Sequence, residues 1–120
     1  TFVNAGLCEP LLRSGDTAAF LASEGSTFPL GAGARGRYRA RTVSLSPGDV
    51  VVLYTDGVPE AAGRAGAPWG YDALAGFLRG LPAGSRTARE VRDAIVREVA
   101  RVTGSSRPAD DVAVVVVRAL

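Results

Sequence analysis

The fold is decided by one stretch of sequence, VVVLYTDG at residues 50–57. Its first six positions are apolar, aromatic or β-branched without interruption, which is typical of a strand that has no polar face. A second run of this kind, VAVVVV, occupies residues 112–117. A strand without a polar face is stable only when both of its faces are covered. We therefore expect layers of structure on both sides of each strand.

Turn-forming residues divide the first half of the chain into short elements. Residues 10–13 and 17–23 flank Ser14-Gly15-Asp16 and predict a hairpin. Residues 25–36 are rich in glycine and predict a loop, and residues 37–45 predict a strand although their alternation is imperfect. The sequence SPGD at residues 46–49 predicts a turn that leads into the apolar stretch.

Two helices are predicted between the two apolar strands. The first places apolar side chains at helical spacing before a proline: Tyr71, Leu74, Phe77, Leu78 and Leu81, then Pro82. The second, residues 88–103, begins with a capping box of Thr87 and Glu90 and ends at Gly104. Its apolar stripe consists of Val91, Ile95, Val99 and Val102. Trp69, just before the first helix, is interpreted as a packing anchor.

Together these elements predict an α/β (α+β) fold, a layered sandwich of two antiparallel sheets with helices outside. The 120 residues contain no repeat and no linker, so we expect one structural unit. Residues 1–4 resemble the end of a strand, with no cap or turn before them. We therefore expect an incomplete domain whose upstream part is absent from this chain.

Composition excludes several classes of function. A content of 47% hydrophobic and 22% charged residues is typical of a soluble domain, and no apolar run approaches the roughly 18 residues that span a membrane. Since no secretion signal is visible either, we expect a cytoplasmic protein. A net charge of +2 is too small to indicate a nucleic-acid partner. Four alternating arginines, Arg35, Arg37, Arg39 and Arg41, predict at most one basic strand face, chiefly in contact with solvent.

The candidate chemistry lies where the apolar strands begin and end. Asp56 follows the first strand, and Asp110 and Asp111 precede the second. If the strands are antiparallel neighbours, these three carboxylates converge at one sheet edge. Clustered carboxylates repel one another unless a cation neutralises them, and Gly57 would permit a close approach to it. The chain has no histidine and only one cysteine, Cys8, which excludes a tetrahedral zinc site and favours a hard divalent ion.

Several short segments, in order, resemble the metal-dependent protein phosphatase family, in its bacterial class of stage II sporulation phosphatase and stress-response regulators of sigma factors. The segments are NAG at residues 4–6, LG at 30–31, LSPGD at 45–49, LYTDGV at 53–58 with Glu60, WG at 69–70 and DDV at 110–112. Two positions depart from the family pattern. Residues 7–9 replace a histidine and prolines, and Ala113 replaces a threonine.

This resemblance implies a phosphoserine and phosphothreonine phosphatase that uses two Mn²⁺ or Mg²⁺ ions. Asp56 and Asp110 would be its metal ligands, with Gly57 and Asp111 in support. The family's metal-bridging aspartate lies upstream of the matching segments, so the resemblance implies that this chain alone is inactive. The substrate would be a phosphoprotein such as an anti-sigma-factor antagonist.

Two other interpretations stay open at this point. The chain could belong to a phosphatase-like module that binds a regulatory partner without catalysis, which the loss of the usual histidine after residues 4–6 permits. Retention of Asp56 and Asp110 argues against it, because a binding module has no need for two repelling acids near one edge. A purely structural domain, in which the aspartates only terminate strands, is the third interpretation.

Overall fold

Four short strands and two helices make up the regular structure of the described residues. The structure is a computed structural model that describes residues 1–25, 28–32, 37–63, 66–82, 87–104 and 110–120. In chain order the elements are β1 (Leu11–Ser14), β2 (Thr17–Phe20), β3 (Val50–Tyr54), α1 (Tyr71–Gly80), α2 (Ala88–Thr103) and β4 (Val114–Arg118). The predicted hairpin, both apolar strands and both helices are present. The predicted mixed fold of antiparallel strands with flanking helices is confirmed.

The strands form one antiparallel sheet in the order β2-β1-β3-β4. β3 lies inside the sheet, where Val52 is opposite Leu11 of β1 on one side and Val116 of β4 on the other. Because both edges of β3 are paired, its backbone hydrogen bonds are satisfied within the sheet. The alternate residues Val50, Val52 and Tyr54 are buried, whereas Val51 and Leu53 are only partly buried.

The turn before β3 is built around a buried aspartate. Asp49 is only 6% exposed, and its Oδ2 accepts a hydrogen bond of 2.8 Å from the backbone N–H of Ser46. The backbone N–H of Asp49 donates back to the Ser46 carbonyl over 3.0 Å, so the predicted turn is confirmed. The Asp49 carbonyl accepts from Ala119 N–H at 2.9 Å, which ties the start of β3 to the end of β4.

Helix α2 has the predicted bounds because its caps form as the sequence predicts. The Thr87 hydroxyl accepts from Glu90 N–H at 3.2 Å, and Thr87 N–H donates to the Glu90 carboxylate at 2.7 Å. Gly104 ends the helix in the left-handed conformation, with a φ of 65°. The buried side chains of α2 are Val91, Ala94, Ile95 and Val99, and Val102 is half-buried.

Helix α1 is anchored by two fully buried leucines, Leu74 and Leu78. Burying a leucine side chain stabilises a fold by about 1.5–3 kcal/mol, so these two contribute strongly to its attachment. The rings of Trp69 and Phe77 meet edge to face with centroids 5.7 Å apart, which agrees with Trp69 as a packing anchor. No helix within the described ranges is long and apolar enough to cross a membrane.

A buried arginine fixes the end of α1 to the sheet. Arg13 of β1 is 7% exposed, and its Nη2 donates a hydrogen bond of 2.8 Å to the carbonyl of Leu81. Carbonyls at a helix C-terminus carry partial negative charge, which stabilises the guanidinium there. Nε of Arg13 has no hydrogen-bond partner among the described residues.

The hydrophobic core lies on one side of the sheet, between it and both helices. Its buried members are Leu11, Val50, Val52, Tyr54, Val58, Ala61, Leu74, Leu78, Val91, Ile95 and Val99. Alternate residues of β4, Val114 and Val116, pack against this cluster. The chain therefore covers one face of the sheet well.

The other face of the sheet is open, contrary to the expectation that both faces would be covered. Val115 is 55% exposed and Val117 is 48% exposed, because α1 and α2 contribute to the single core on the opposite face. Phe2 and Leu45 reach the edge of this open face and enclose a shallow apolar cavity of about 170 Å³. The second sheet of the predicted sandwich is not found among the described residues.

The predicted strand at residues 37–45 is also wrong. This segment makes only single bridges, Tyr38 to Gly25 and Arg41 to Phe2, so no ladder extends along it. The Arg41 guanidinium instead donates to the Ala22 carbonyl over 2.6 Å. Without a strand there is no basic strand face; Arg37 and Arg39 are exposed loop residues, and Arg35 lies outside the described residues.

The one-sided core predicts that neighbouring valines of β4 respond differently to the same substitution. Val115→Thr should change the free energy of unfolding by less than about 0.5 kcal/mol, because that side chain already contacts water. Val116→Thr, the matched control on the covered face, should cost about 1 kcal/mol or more, because its hydroxyl would enter an apolar core. Urea unfolding measures both, and equal losses would show that the two faces are covered alike.

Candidate active site

The end of β3 presents Asp56 to solvent on a tight turn. The Asp56 side chain is exposed, and its Oδ1 accepts from the N–H of Gly57 at 3.0 Å. The backbone turns immediately afterwards, because Val58 N–H donates to the Thr55 carbonyl and Glu60 N–H to the Asp56 carbonyl, at 3.1 and 2.9 Å. A rigid strand and a hydrogen-bonded turn therefore hold the position of this carboxylate.

The start of β4 brings two further carboxylates to the same end of the sheet. Asp110 and Asp111 are exposed and lie just before the strand, and Asp110 Oδ1 accepts from Asp111 N–H at 2.7 Å. The antiparallel register pairs Tyr54 with Val114, so the end of β3 and the start of β4 are adjacent. The predicted antiparallel neighbourhood of these two strands is confirmed.

The hydroxyl of Thr55 joins the two acidic segments. Thr55 Oγ1 donates to the Asp111 carbonyl at 2.8 Å and accepts from Ala113 N–H at 3.0 Å. The Thr55 backbone N–H also donates to the Ala113 carbonyl at 3.2 Å, which continues the ladder past the regular strands. The sequence analysis did not predict this role of Thr55. The sequence feature that could have indicated it is a hydroxyl residue between an apolar strand and an aspartate.

Gly57 allows the turn after β3 to touch the loop before β4. A Cβ atom at position 57 would lie 2.5 Å from the carbonyl oxygen of Asp111, closer than real Cβ atoms come to any neighbour. Only glycine therefore fits without displacing that backbone. The prediction that Gly57 permits a close approach to a metal ion stays a prediction.

The expectation that three carboxylates converge is not met. In the parts of the chain that the structure describes, no three Asp, Glu, His or Cys side chains form a group that could hold a metal ion. The Oδ1 atoms of Asp56 and Asp110 each accept a hydrogen bond from the next backbone N–H instead. Such local bonds stabilise the charged carboxylates without bringing them together. Asp56 and Asp110 as metal ligands, with Asp111 in support, stay a prediction.

The available donors fit a hard divalent ion better than a soft one. Asp56, Asp110 and Asp111 offer carboxylate oxygens, which Mg²⁺ and Mn²⁺ prefer. Cys8, the only thiol of the chain, is partly buried and packs against the core.

The Asn4-Ala5-Gly6 segment forms a fixed loop beside this end of the sheet. The Asn4 side chain, 7% exposed, donates to the Leu7 carbonyl at 2.8 Å and accepts from Leu7 N–H at 2.9 Å. Gly6 has a φ of 100°, and a Cβ there would lie 2.8 Å from the Pro29 side chain. Leu7 in turn lines a small cavity with Thr55. The segment is structural, and it adjoins the acidic end of β3.

Tyr71, the first residue of α1, lies in negative surroundings close to these acids. Its hydroxyl is 3.7 Å from Cys8 Sγ. The hydrogen bond to Cys8, then burial, and then the charges of Cys8, Glu60 and Asp56 raise the pKa of Tyr71 to about 12. The phenol is therefore neutral and retains its proton at physiological pH.

The whole chain, residues 1–120, matches the family described as stage II sporulation protein E. Three similar solved structures have the same fold. The SiaA-PP2C domain of Pseudomonas aeruginosa is 26% identical with a TM-score of 0.74. The manganese-presoaked phosphatase domain of the cell fate determinant SpoIIE from Bacillus subtilis is 22% identical, with a TM-score of 0.69. The RsbU and RsbW domains of Rv1364c from Mycobacterium tuberculosis are 28% identical, with a TM-score of 0.69.

These matches cover nearly all of this chain but less than half of each solved structure. The share of this chain is 95%, 96% and 95%, and the share of the solved chains is 43%, 48% and 31%. No curated protein gives a significant match. The similarity therefore concerns one part of a larger unit.

The two hydrogen bonds of Thr55 predict that its hydroxyl, and not its size, holds the acidic loops together. Thr55→Val should lower the free energy of unfolding by about 0.5–1.5 kcal/mol, because the Asp111 carbonyl and the Ala113 N–H both lose a hydrogen-bond partner. It should also speed amide hydrogen exchange at Ala113. Thr55→Ser, which keeps the hydroxyl, is the control; if serine and valine are equally disruptive, the hydroxyl is not the cause.

Proposed function

Because the chain belongs to the stage II sporulation protein E family, a group of metal-dependent protein phosphatases, we propose that it is the C-terminal portion of one phosphatase domain. The complete domain hydrolyses phosphoserine or phosphothreonine in a protein substrate with Mn²⁺ or Mg²⁺. The observation that carries this proposal is the attachment of the Asp56 turn to the Asp111 loop through Thr55 and Gly57. That contact gives two exposed acids a fixed common edge.

Asp56 and Asp110 are the metal ligands in this proposal. Both are exposed carboxylates on segments that the sheet and Thr55 hold in place. A pair of divalent ions, when bound, supplies an activated water and neutralises the charge of the phosphate. Asp111 supports the site through its backbone carbonyl, which fixes the neighbouring loop, and Gly57 leaves that carbonyl its space.

We further propose that this chain alone is inactive or nearly so. Two carboxylates do not complete a two-metal site, and none of the residues that the structure describes covers the open face with Val115 and Val117. This chain aligns with less than half of each matched phosphatase structure. The upstream part of the domain would supply both the missing ligand and the second sheet.

The proposed substrate is a phosphorylated regulator of a sigma factor, such as an anti-sigma-factor antagonist. This rests on the family and on the similarity to a protein that carries RsbU and RsbW domains. The competing interpretation, a module that binds a regulatory partner without catalysis, predicts that the complete domain binds no Mn²⁺.

A manganese-dependent assay with p-nitrophenyl phosphate tests the proposal. The 120-residue chain should show little turnover, whereas a protein extended upstream to the full domain should be active. In the extended protein, Asp56→Asn or Asp110→Asn should reduce kcat at least about a hundredfold and weaken Mn²⁺ binding, because a ligand loses its charge.

The matched control is Asp16→Asn, which removes the same charge from the β1–β2 turn at the opposite end of the sheet. It should leave turnover and Mn²⁺ binding unchanged. Robust turnover by the 120-residue chain that Asp56→Asn abolishes would overturn the proposed inactivity. An extended protein that tolerates both aspartate substitutions would overturn the ligand assignment, and one that binds no Mn²⁺ would support the binding module.

A further inference from the structure

A second pocket lies beside the acidic end of the sheet and has a chemistry that the proposed metal site does not use. Its volume is about 450 Å³, and its walls include Glu9, Phe20, Tyr54 and Tyr71. It is formed where the loop after Asn4 meets β2, β3 and the start of α1. The pocket therefore combines three aromatic rings with one carboxylate.

The aromatic walls are held in defined positions. The rings of Phe20 and Tyr71 meet edge to face with centroids 5.9 Å apart. Phe20 packs against the core, whereas Tyr71 is 44% exposed. Aromatic faces attract cations, and they do so more strongly where water is partly excluded. The rings alone would accept either an apolar or a cationic group.

Glu9 favours a cation over a neutral apolar group. Its side chain is exposed, and Oε1 accepts from Ser23 N–H at 3.1 Å, which holds the carboxylate at the pocket wall. The negative charges of Glu60 and Asp56 also act on Tyr71. A cationic group in the pocket would interact with aromatic faces and with negative charge at once.

Tyr54 contributes a buried aromatic residue to the pocket wall. It is only 2% exposed, and its Oη has no hydrogen-bond partner among the residues that the structure describes. Because this oxygen is buried, a ligand in the pocket would interact with the aromatic walls and with Glu9, and not with the Tyr54 hydroxyl.

We propose that this aromatic and acidic pocket binds a basic side chain, arginine or lysine, of the phosphoprotein substrate. The inference rests on the proposed phosphatase function. Tyr54 lines the pocket and ends β3, two residues before Asp56, so the pocket adjoins the proposed metal site. The basic residue would therefore lie near the phosphorylated residue, and it would select substrates by their sequence.

Direct binding to the 120-residue chain, without metal or phosphate, tests this inference separately from phosphatase activity. The probe is N-acetyl-arginine methylamide, titrated into the chain and followed by NMR of backbone amides. We expect shifts at Cys8, Ser23 and Tyr71. The citrulline analogue, of similar shape but neutral, should bind at least about fivefold more weakly, which corresponds to about 1 kcal/mol.

Glu9→Gln is the decisive variant, because glutamine keeps an oxygen for Ser23 N–H and loses only the charge. This substitution should weaken binding of the arginine probe roughly fivefold. The matched control is Glu24→Gln, an exposed acid that does not line the pocket, which should have no effect. A second variant, Tyr71→Leu, removes a partly exposed ring and should also weaken binding. Urea unfolding of each variant verifies that the fold is kept.

Three outcomes would overturn the inference: no binding of the arginine probe, equal binding of the citrulline analogue, or equal losses of probe binding in Glu9→Gln and Glu24→Gln.

Agmatine, a free guanidinium compound, distinguishes a substrate side chain from a small-molecule ligand. If agmatine binds and the arginine probe does not, the pocket takes a free cation and the inference is wrong. A chain that binds the probe while the extended protein shows no phosphatase activity would refute the proposed function alone.

Discussion

The antiparallel pairing of β3 with β4 is the constraint on which the rest of the structure depends. It joins residues 50–54 to residues 114–118, and both helices lie between these two strands in the sequence. The same pairing sets which residues of β4 face the helices and which face the open side. It also makes the end of one strand and the start of the other a single edge, where Asp56 meets the Asp110–Asp111 loop. The β3–β4 pairing therefore determines both the sheet and the position of the candidate site.

Much of this arrangement could be predicted because the deciding signals are local. The capping box at Thr87, the glycine at position 104 and the apolar stripe of α2 specify that helix without reference to the rest of the molecule. The uninterrupted apolar runs likewise identified β3 and β4. Their antiparallel pairing was the condition on which the predicted common edge of the acids depended, and the register meets that condition.

The errors arise where the outcome depends on distant partners. Residues 37–45 have strand-like composition, but their neighbours offer only isolated bridges, so a ladder has nothing to extend along. The sequence of β4 could not show which segment covers the second face of the sheet, because an apolar strand does not specify its packing partner. The predicted convergence of three carboxylates ignored the backbone N–H groups next to Asp56 and Asp110, which local hydrogen bonds satisfy first.

The position of β4 in the chain has a consequence for biosynthesis. β4 follows α2, so it is the last of the six elements to leave the ribosome. Until it does, β3 has a partner on one edge only, and Thr55 lacks the backbone groups of Asp111 and Ala113 that it binds. Long-range pairing of this kind forms slowly and late. Translation of this segment must therefore be nearly finished before the acidic edge exists. A nascent chain that stalls after α2 would contain Asp56 but not the Asp110–Asp111 loop.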